Sequence, residues 1–170
     1  FVDGRLDFAA APFPAWGVAG GLDGLVERDS WFSPGARVGF LYVTGDGSEP
    51  PLGGARFKLR AVTFRGCPLR TSLGVPFSFT ACGLFEGGVL TTSPRDTPGS
   101  AGDSRMTWLA FGVSARVEAP LVERLAVELE GSAFGLVRHD QFVLQPGDVN
   151  VHTVPPVSGA ISLGLVARWP

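Results

Sequence analysis

The stretch "RLAVELEGSA", Arg124 to Ala133, decides how this chain is read. Leu125, Val127 and Leu129 alternate with Ala126, Glu128 and Glu130. Side chains leave a strand on alternate faces, so the pattern sorts a greasy face from one bearing two carboxylates. Val122, Leu125, Ala126, Leu129, Ala133 and Leu136 also fit a helical stripe, with Pro120 near its start. Gly131 and Gly135 oppose that reading, since each costs about 1 kcal/mol in a helix interior. The segment before it alternates strictly, and the stretch is read as a strand.

The same alternation runs outward in both directions. Arg105–Ala119 sets Leu109, Phe111, Val113, Ala115 and Val117 against Gly112, Ser114, Arg116 and Glu118. Ala55–Ala61 sets Phe57 and Leu59 against Arg56, Lys58 and Arg60. The last segment opposes Ile161, Leu163, Leu165 and Trp169 to Ser162, Gly164 and Arg168. The first opposes Val2, Leu6 and Phe8 to Asp3, Arg5 and Asp7. From Val75, the residues Phe77, Phe79, Ala81 and Phe85 face away from Ser78, Thr80, Cys82 and Glu86. The glycine-rich stretch Trp16–Glu27 repeats the pattern weakly. Turn-rich clusters at 11–16, 27–30, 45–54, 66–72, 93–104, 119–124 and 138–156 leave eight such segments. Short strands between Gly/Pro/Asp/Ser clusters predict one all-β domain, 1–170, a barrel or a sandwich.

Composition agrees. Gly (24) and Pro (14) are abundant, yet apolar residues reach 45%, which a disordered Gly/Pro-rich polymer would lack. A net charge of −2 gives no electrostatic reason to expect nucleic acid. No apolar run approaches the ~18 residues of a spanning helix, and "VGFLYV" (Val38–Val43) is strand-sized. No basic-then-apolar leader stands at Phe1, so a signal peptide is expected to have been removed or to lie outside this sequence. Cys67 and Cys82 bracket the turn "PLRTSLGVP" and are expected to form a disulfide in an oxidising compartment. A bulge near Thr63–Gly66 is expected to bring them to one face.

Alternation does not say which face looks inward. A soluble barrel turns its apolar face in; an outer-membrane barrel turns it out and fills its lumen with polar groups. Three features favour the second. First, the polar face carries nearly balanced charge: Asp3, Asp7, Asp23, Glu86, Glu118, Glu128 and Glu130 against Arg5, Arg37, Arg56, Lys58, Arg60, Arg116 and Arg168. Lys58 is the single lysine among fourteen bases, and the planar fork of Arg suits enclosed carboxylate pairs. Second, Trp16, Tyr42 and Trp108 near one set of strand ends, and Trp31 and Trp169 near the other, resemble interfacial girdles. Third, several alternate connections are short, as periplasmic turns are.

With these features the chain resembles the small eight-stranded outer-membrane β-barrels of Gram-negative bacteria, the OmpA/OmpX type of transmembrane barrel. The terminal "SLGLVARW", with Gly164 and alternating Leu163, Leu165, Ala167 and Trp169, resembles their last-strand assembly signal, although Pro170 follows the aromatic. The resemblance implies an eight-stranded antiparallel up-and-down transmembrane β-barrel in the outer membrane, with both termini periplasmic. It implies contact with outer-membrane lipid and lipopolysaccharide, and with the outer-membrane assembly machinery through the last strand. Phe57, Leu59, Phe77, Phe79, Leu109, Phe111, Val113, Leu125, Val127, Leu129, Leu163 and Leu165 are then expected to face lipid, and the charged set to form a lumen network.

Residues that would carry chemistry have simpler readings. Glu128 and Glu130 share one strand face, where a glycosidase would need carboxylates across a cleft, and they are expected to pair with the Arg56/Lys58/Arg60 row or other lumen bases. His139, Asp140 and His152 lie in the last long loop without a G-x-S-x-G, and two histidines are too few for a metal. "GDGSEPPLGG" lacks the spacing of a calcium loop. No cofactor, metal or enzymatic activity is expected; the expected role is anchoring or surface interaction through the loops around 45–53, 92–104 and 139–156. Two alternatives stand beside it. One is a soluble, secreted lipocalin-like barrel binding a small apolar ligand among Phe57, Phe77, Phe79 and Phe111. The other is a lipid-acting barrel enzyme with Ser/His/Asp groups at its rim.

Overall fold

The computed structural model describes residues 1–11, 14–26, 32–48, 54–72, 76–95, 104–137, 141–144, 149–153 and 155–169. Trp31, Pro170, His139, Asp140, the side chain of His152 and the centres of the long connections lie outside the described residues. The chain forms β1 (Val2–Asp7), β2 (Ala15–Leu25), β3 (Phe32–Ser48), β4 (Gly54–Ser72), β5 (Ser78–Arg95), β6 (Ser104–Val122), β7 (Leu125–Leu136), β8 (Gln141–Leu144), β9 (Val149–Thr153) and β10 (Val157–Ala167). Eight of them, β1 to β7 and β10, pair antiparallel in up-and-down order, and β1 closes on β10 from Val2↔Leu165 to Asp7↔Ala160. Leu125–Ala133 of the stretch "RLAVELEGSA" lie in β7, paired on both sides, with Glu130 opposite Arg116 and Glu128 opposite Glu118.

β3, β5 and β6 run on into the expected turn clusters, to Ser48, Arg95 and Val122, and two boundaries differ further from the sequence expectation. The stretch 138–156, expected as a loop, contains the separate β8–β9 hairpin. The cluster 66–72, expected as a break, belongs to β4, which runs on to Ser72 and absorbs its irregularity as a register shift between Gly66 and Leu69. The strands also wind around the axis. Following paired residues from Glu118 through Glu128, Gly164, Asp3, Ala19, Leu41, Ala61 and Gly88 returns to β6 at Trp108, ten residues displaced. Such a stagger is what closure of a tilted sheet requires.

One end of the barrel holds both termini, the turn Glu123–Arg124 and the connections 26–31 and 73–77; the other holds the connections 8–14, 49–53, 96–103 and 137–156. β3 to β6 have 17, 19, 18 and 19 residues, against 6, 11, 12 and 11 for β1, β2, β7 and β10. The excess rises at the loop end, where Ser104–Leu109 of β6 run past the first β7 pairing, Ala110↔Leu136.

The interior has two storeys. Nearer the termini it holds charged side chains, among them Asp3, Arg5, Arg37, Arg65, Glu86, Arg116, Glu128 and Glu130, all buried. Nearer the loops it is an apolar core of Leu41, Val43, Phe57, Leu59, Leu90, Trp108, Phe134 and Leu136. Ala9, Ala10 and Ala11 also enter this core from the β1–β2 connection. Asp7 turns the chain inward there, since its Oδ1 accepts from the N–H groups of Ala9 (2.9 Å) and Ala10 (3.1 Å). A Cβ at Gly45 would lie 2.9 Å from the Cβ atoms of both Ala11 and Ala15, so that close approach requires glycine.

Cys67 and Cys82 are joined by a disulfide across β4 and β5, and both are buried. The register shift lies at Gly66–Leu69 rather than at Thr63–Gly66. What brings the cysteines together is the parity of β4, whose odd-numbered residues Ala55 to Cys67 all look inward. The bond closes a span of 15 residues, for which chain entropy gives about 3 kcal/mol. Replacing both cysteines (C67S/C82S) should leave the barrel folded but lower its unfolding free energy in urea by that order, and reductant should have no further effect on the variant.

Candidate functional site

The centre of the charged storey is Arg37 on β3. Its Nη1 and Nη2 donate to Glu128 Oε1 and Oε2 across the lumen, both at 2.6 Å, in a two-pronged pair. Nε and Nη2 also reach Asp23 Oδ2 at 3.2 and 3.1 Å, and the guanidinium carbon lies 3.9 Å from the centre of the Phe1 ring. Arg116 donates to Asp23 Oδ2 at 2.8 Å and lies 3.2 Å from Glu118. Arg65 bonds Glu130 at 2.8 Å. Nearer the apolar core, Arg5 bridges Glu86 (2.6 Å) and Asp7 (2.9 Å). Trp108 Nε1 donates to the other oxygen of Glu86 at 3.4 Å. At the termini end, Arg168 and Arg70 both approach Glu118 Oε2, at 2.5 and 3.5 Å.

These bonds need particular local structure. Asp3 lies against Gly164, where a Cβ would stand 2.0 Å from its Oδ1, so the glycine of the last strand makes room for a carboxylate. Arg is the base at every enclosed position. Its fork reaches two carboxylates at once, which the single ammonium of Lys does less well. The two carboxylates on one β7 face are thus partners of buried guanidinia, Glu128 of Arg37 and Glu130 of Arg65.

The structure sorts the expected site residues into three groups. Asp3, Arg5, Asp7, Asp23, Arg37, Glu86, Arg116, Glu118, Glu128 and Glu130 come together inside, and Arg168 joins them from the mouth with its side chain 41% exposed. Phe111, Val113, Leu129, Leu163, Leu165 and Phe77 are exposed on the outer face, and Phe79, Leu109, Leu125 and Val127 are partly exposed there. Trp16 and Trp169 are also exposed, at opposite ends, and Tyr42 is half-exposed.

The third group is reversed. Phe57 and Leu59, expected on the outer face, are 1% and 0% exposed inside the barrel. Arg56, Lys58 and Arg60, expected in the lumen, lie on the outside of the same strand, and Arg56 pairs there with Asp46 at 2.9 Å. Trp108, expected at an interface, is 1% exposed beside Glu86. The partners of Glu128 and Glu130 are therefore Arg37 and Arg65, not the Arg56/Lys58/Arg60 row. Arg65 is missed in the sequence because odd residues of β4 are assigned outward, and Arg70 because 66–72 is taken for a break in the strand. Cys67, which had to meet a cysteine on the polar face, carried the contrary signal.

No family model matches this chain, and neither a curated protein nor a solved structure matches it.

Removing one partner strands the other without water. Glu128→Leu should destabilise the fold by about 3–5 kcal/mol in urea unfolding, because Arg37 loses its two-pronged acceptor. Replacing Arg37 as well (R37M/E128L) should restore most of that loss. Arg56→Gln, on an exposed pair, should change stability by less than about 0.5 kcal/mol.

Proposed function

We propose that this chain is an integral outer-membrane β-barrel that is plugged rather than porous, and that its role is anchoring or surface interaction through the strand extensions and connections at its loop end. The observation that carries this reading is the reversal of polarity across the wall. Over the part of the barrel nearer the termini, ionic groups are enclosed while Val18, Leu22, Phe40, Val62, Phe64, Val113, Leu129 and Leu163 stand in the open. Val113 and Leu163 are 63% and 62% exposed. In water this arrangement is doubly unfavourable, since it hydrates greasy surface and dehydrates charge. In hydrocarbon both costs change sign or fall, and a closed barrel leaves no backbone group unpaired at an edge.

Further support comes from the layout. The two-residue turn Glu123–Arg124, the shortest connection, shares one end with both termini, and the two longest, 96–103 and 137–156, share the other, as periplasmic turns and external loops do. The interior is filled at one level by Arg–carboxylate pairs and at the next by Phe57, Leu59, Trp108 and Phe134. Transport through the lumen would have to displace both. The last strand, β10, carries the outward Ile161, Leu163 and Leu165 that the assembly machinery would read.

The ligand-binding alternative requires Phe57, Phe77, Phe79 and Phe111 around one cavity. Phe57 lies inside, while Phe77 and Phe111 are exposed outside.

The full chain should stay in solution only with detergent and should migrate differently on a denaturing gel with and without boiling. In lipid vesicles Leu163→Arg should cost about 2–4 kcal/mol of folding stability, the penalty for a cation on the apolar face. A protein that is monodisperse in buffer alone, with Leu163→Arg neutral within about 0.5 kcal/mol, would end this reading.

A further inference from the structure

All charge on the outer face of the barrel strands, among the described side chains, is gathered in one place. Arg56, Lys58 and Arg60 stand at alternate positions of β4, Arg105 on β6 and Asp46 on β3. Four of these five groups are positive on a chain whose net charge is −2. Asp46 engages Arg56; Lys58 and Arg60 have no carboxylate partner among the described residues. Successive outward positions on a strand are roughly 7 Å apart, so the bases form a short ladder rather than a scatter.

The ladder borders a groove. A cavity of about 540 Å³ on the outer wall is lined by Trp16, Tyr42, Thr44, Asp46, Arg56 and Lys58. Trp16, Thr44 and Lys58 share one row of the sheet, and Val18, Tyr42 and Arg60 share the next. Immediately towards the termini, the same face of β4 becomes Val62 and Phe64, both about half exposed. Whatever fills the groove therefore meets cations and aromatic edges at one end and an apolar wall at the other. Indole and phenol rings favour such a boundary because one part is apolar and another donates hydrogen bonds.

We infer that this groove binds the phosphate-bearing head of an anionic lipid, with Lys58 on its wall and Arg60 on the adjoining row meeting the phosphate, Trp16 and Tyr42 beside the linkage, and the acyl chains leaving the groove along Val62 and Phe64. The inference rests on the membrane reading above and names the lipid chemistry at one place on the wall. A free anion would satisfy the bases but not the adjoining apolar face; a neutral lipid would do the reverse. Arg56 is partly neutralised by Asp46 and serves to frame the groove.

The test uses the detergent-purified full chain, titrated separately with dioleoyl phosphatidic acid, dioleoyl phosphatidylcholine and inorganic phosphate, with bound molecules counted by native mass spectrometry. The wild type should retain phosphatidic acid in preference to phosphatidylcholine. K58Q/R60Q should lose affinity for phosphatidic acid on the order of twentyfold, near fivefold for each charge removed, and R60K should keep it. Folding of each variant is read from unboiled gel mobility; should the double variant not fold, K58Q carries the comparison alone. Equal retention by wild type and K58Q/R60Q would overturn the inference, as would full displacement of the lipid by millimolar phosphate. A wild type that inserts into phosphatidylcholine vesicles but shows no headgroup preference refutes the lipid site alone. One that inserts into no vesicle refutes the membrane reading as well.

Discussion

Arg37 and Glu128 face each other across the lumen, both buried, and neither can be lost without stranding the other. The two lie on β3 and β7, which are not neighbours in the wall, and are 91 residues apart in sequence. Arg116–Asp23, Arg5–Glu86 and Arg65–Glu130 likewise join strands across the interior, at separations of 93, 81 and 65 residues. Backbone ladders decide which strand lies beside which. Their stagger sets the tilt and girth of the closed sheet. Cross-lumen pairs hold that closed form against others, because a buried guanidinium is tolerable only when its carboxylate is in place. An open or wrongly sized barrel would leave such groups unpaired.

The two interior storeys then explain each other. Glu86 stands where they meet, held by Arg5 on the ionic side and by the Trp108 indole on the apolar side. Arg5 also lies 5.7 Å from the centre of the Phe134 ring, so the lowest aromatic of the core closes over the highest base of the network. Trp108 and Phe134 in turn meet edge-on with centroids 6.4 Å apart. The apolar core covers the loop side of the ion pairs, and their burial strengthens the attraction while raising the cost of any single loss. Asp7 serves both storeys, accepting from Arg5 with one oxygen and turning Ala9–Ala11 into the core with the other.

Much of this was legible in the sequence, for a physical reason. Period-two alternation is local, and Leu125–Leu136, Arg105–Ala119 and Ile161–Leu165 keep one polarity along most of their length, so strand identity and facing emerged together. The charged inner set emerged too, because isolated Asp, Glu and Arg on an otherwise Gly/Ser/Thr face have few other places to go. Closure through β1 and β10 is a pairing between the two ends of the chain, which no window of sequence contains. The β8–β9 hairpin was hidden in a Gly/Pro-rich stretch whose turn residues masked the strands between them. Arg65 was hidden by an error propagated along β4 from Phe57 and Leu59.

That error marks where the polarity of the wall changes. β4 pairs with β5 in continuous register from Gly54 to Gly66, so no bulge flips its faces in this span. Inward residues nevertheless pass from Phe57, Leu59 and Ala61 to Thr63 and Arg65, while outward ones pass from Arg56, Lys58 and Arg60 to Val62 and Phe64. Parity is constant and polarity inverts on both faces between Arg60 and Thr63. A strand wholly in water has no cause to do this, and neither has one wholly in hydrocarbon. A strand that crosses from one medium into the other has such a cause at the crossing: with water outside, the interior holds the apolar side chains, and with hydrocarbon outside, the wall does. Under the proposed membrane reading the boundary falls beside Tyr42 and Arg60, and the half-turn of β4 where both faces exchange character is its marker. Binary pattern thus fixes the two faces of a strand, but which face is inside follows only once the surrounding solvent is assigned, residue by residue, along its length.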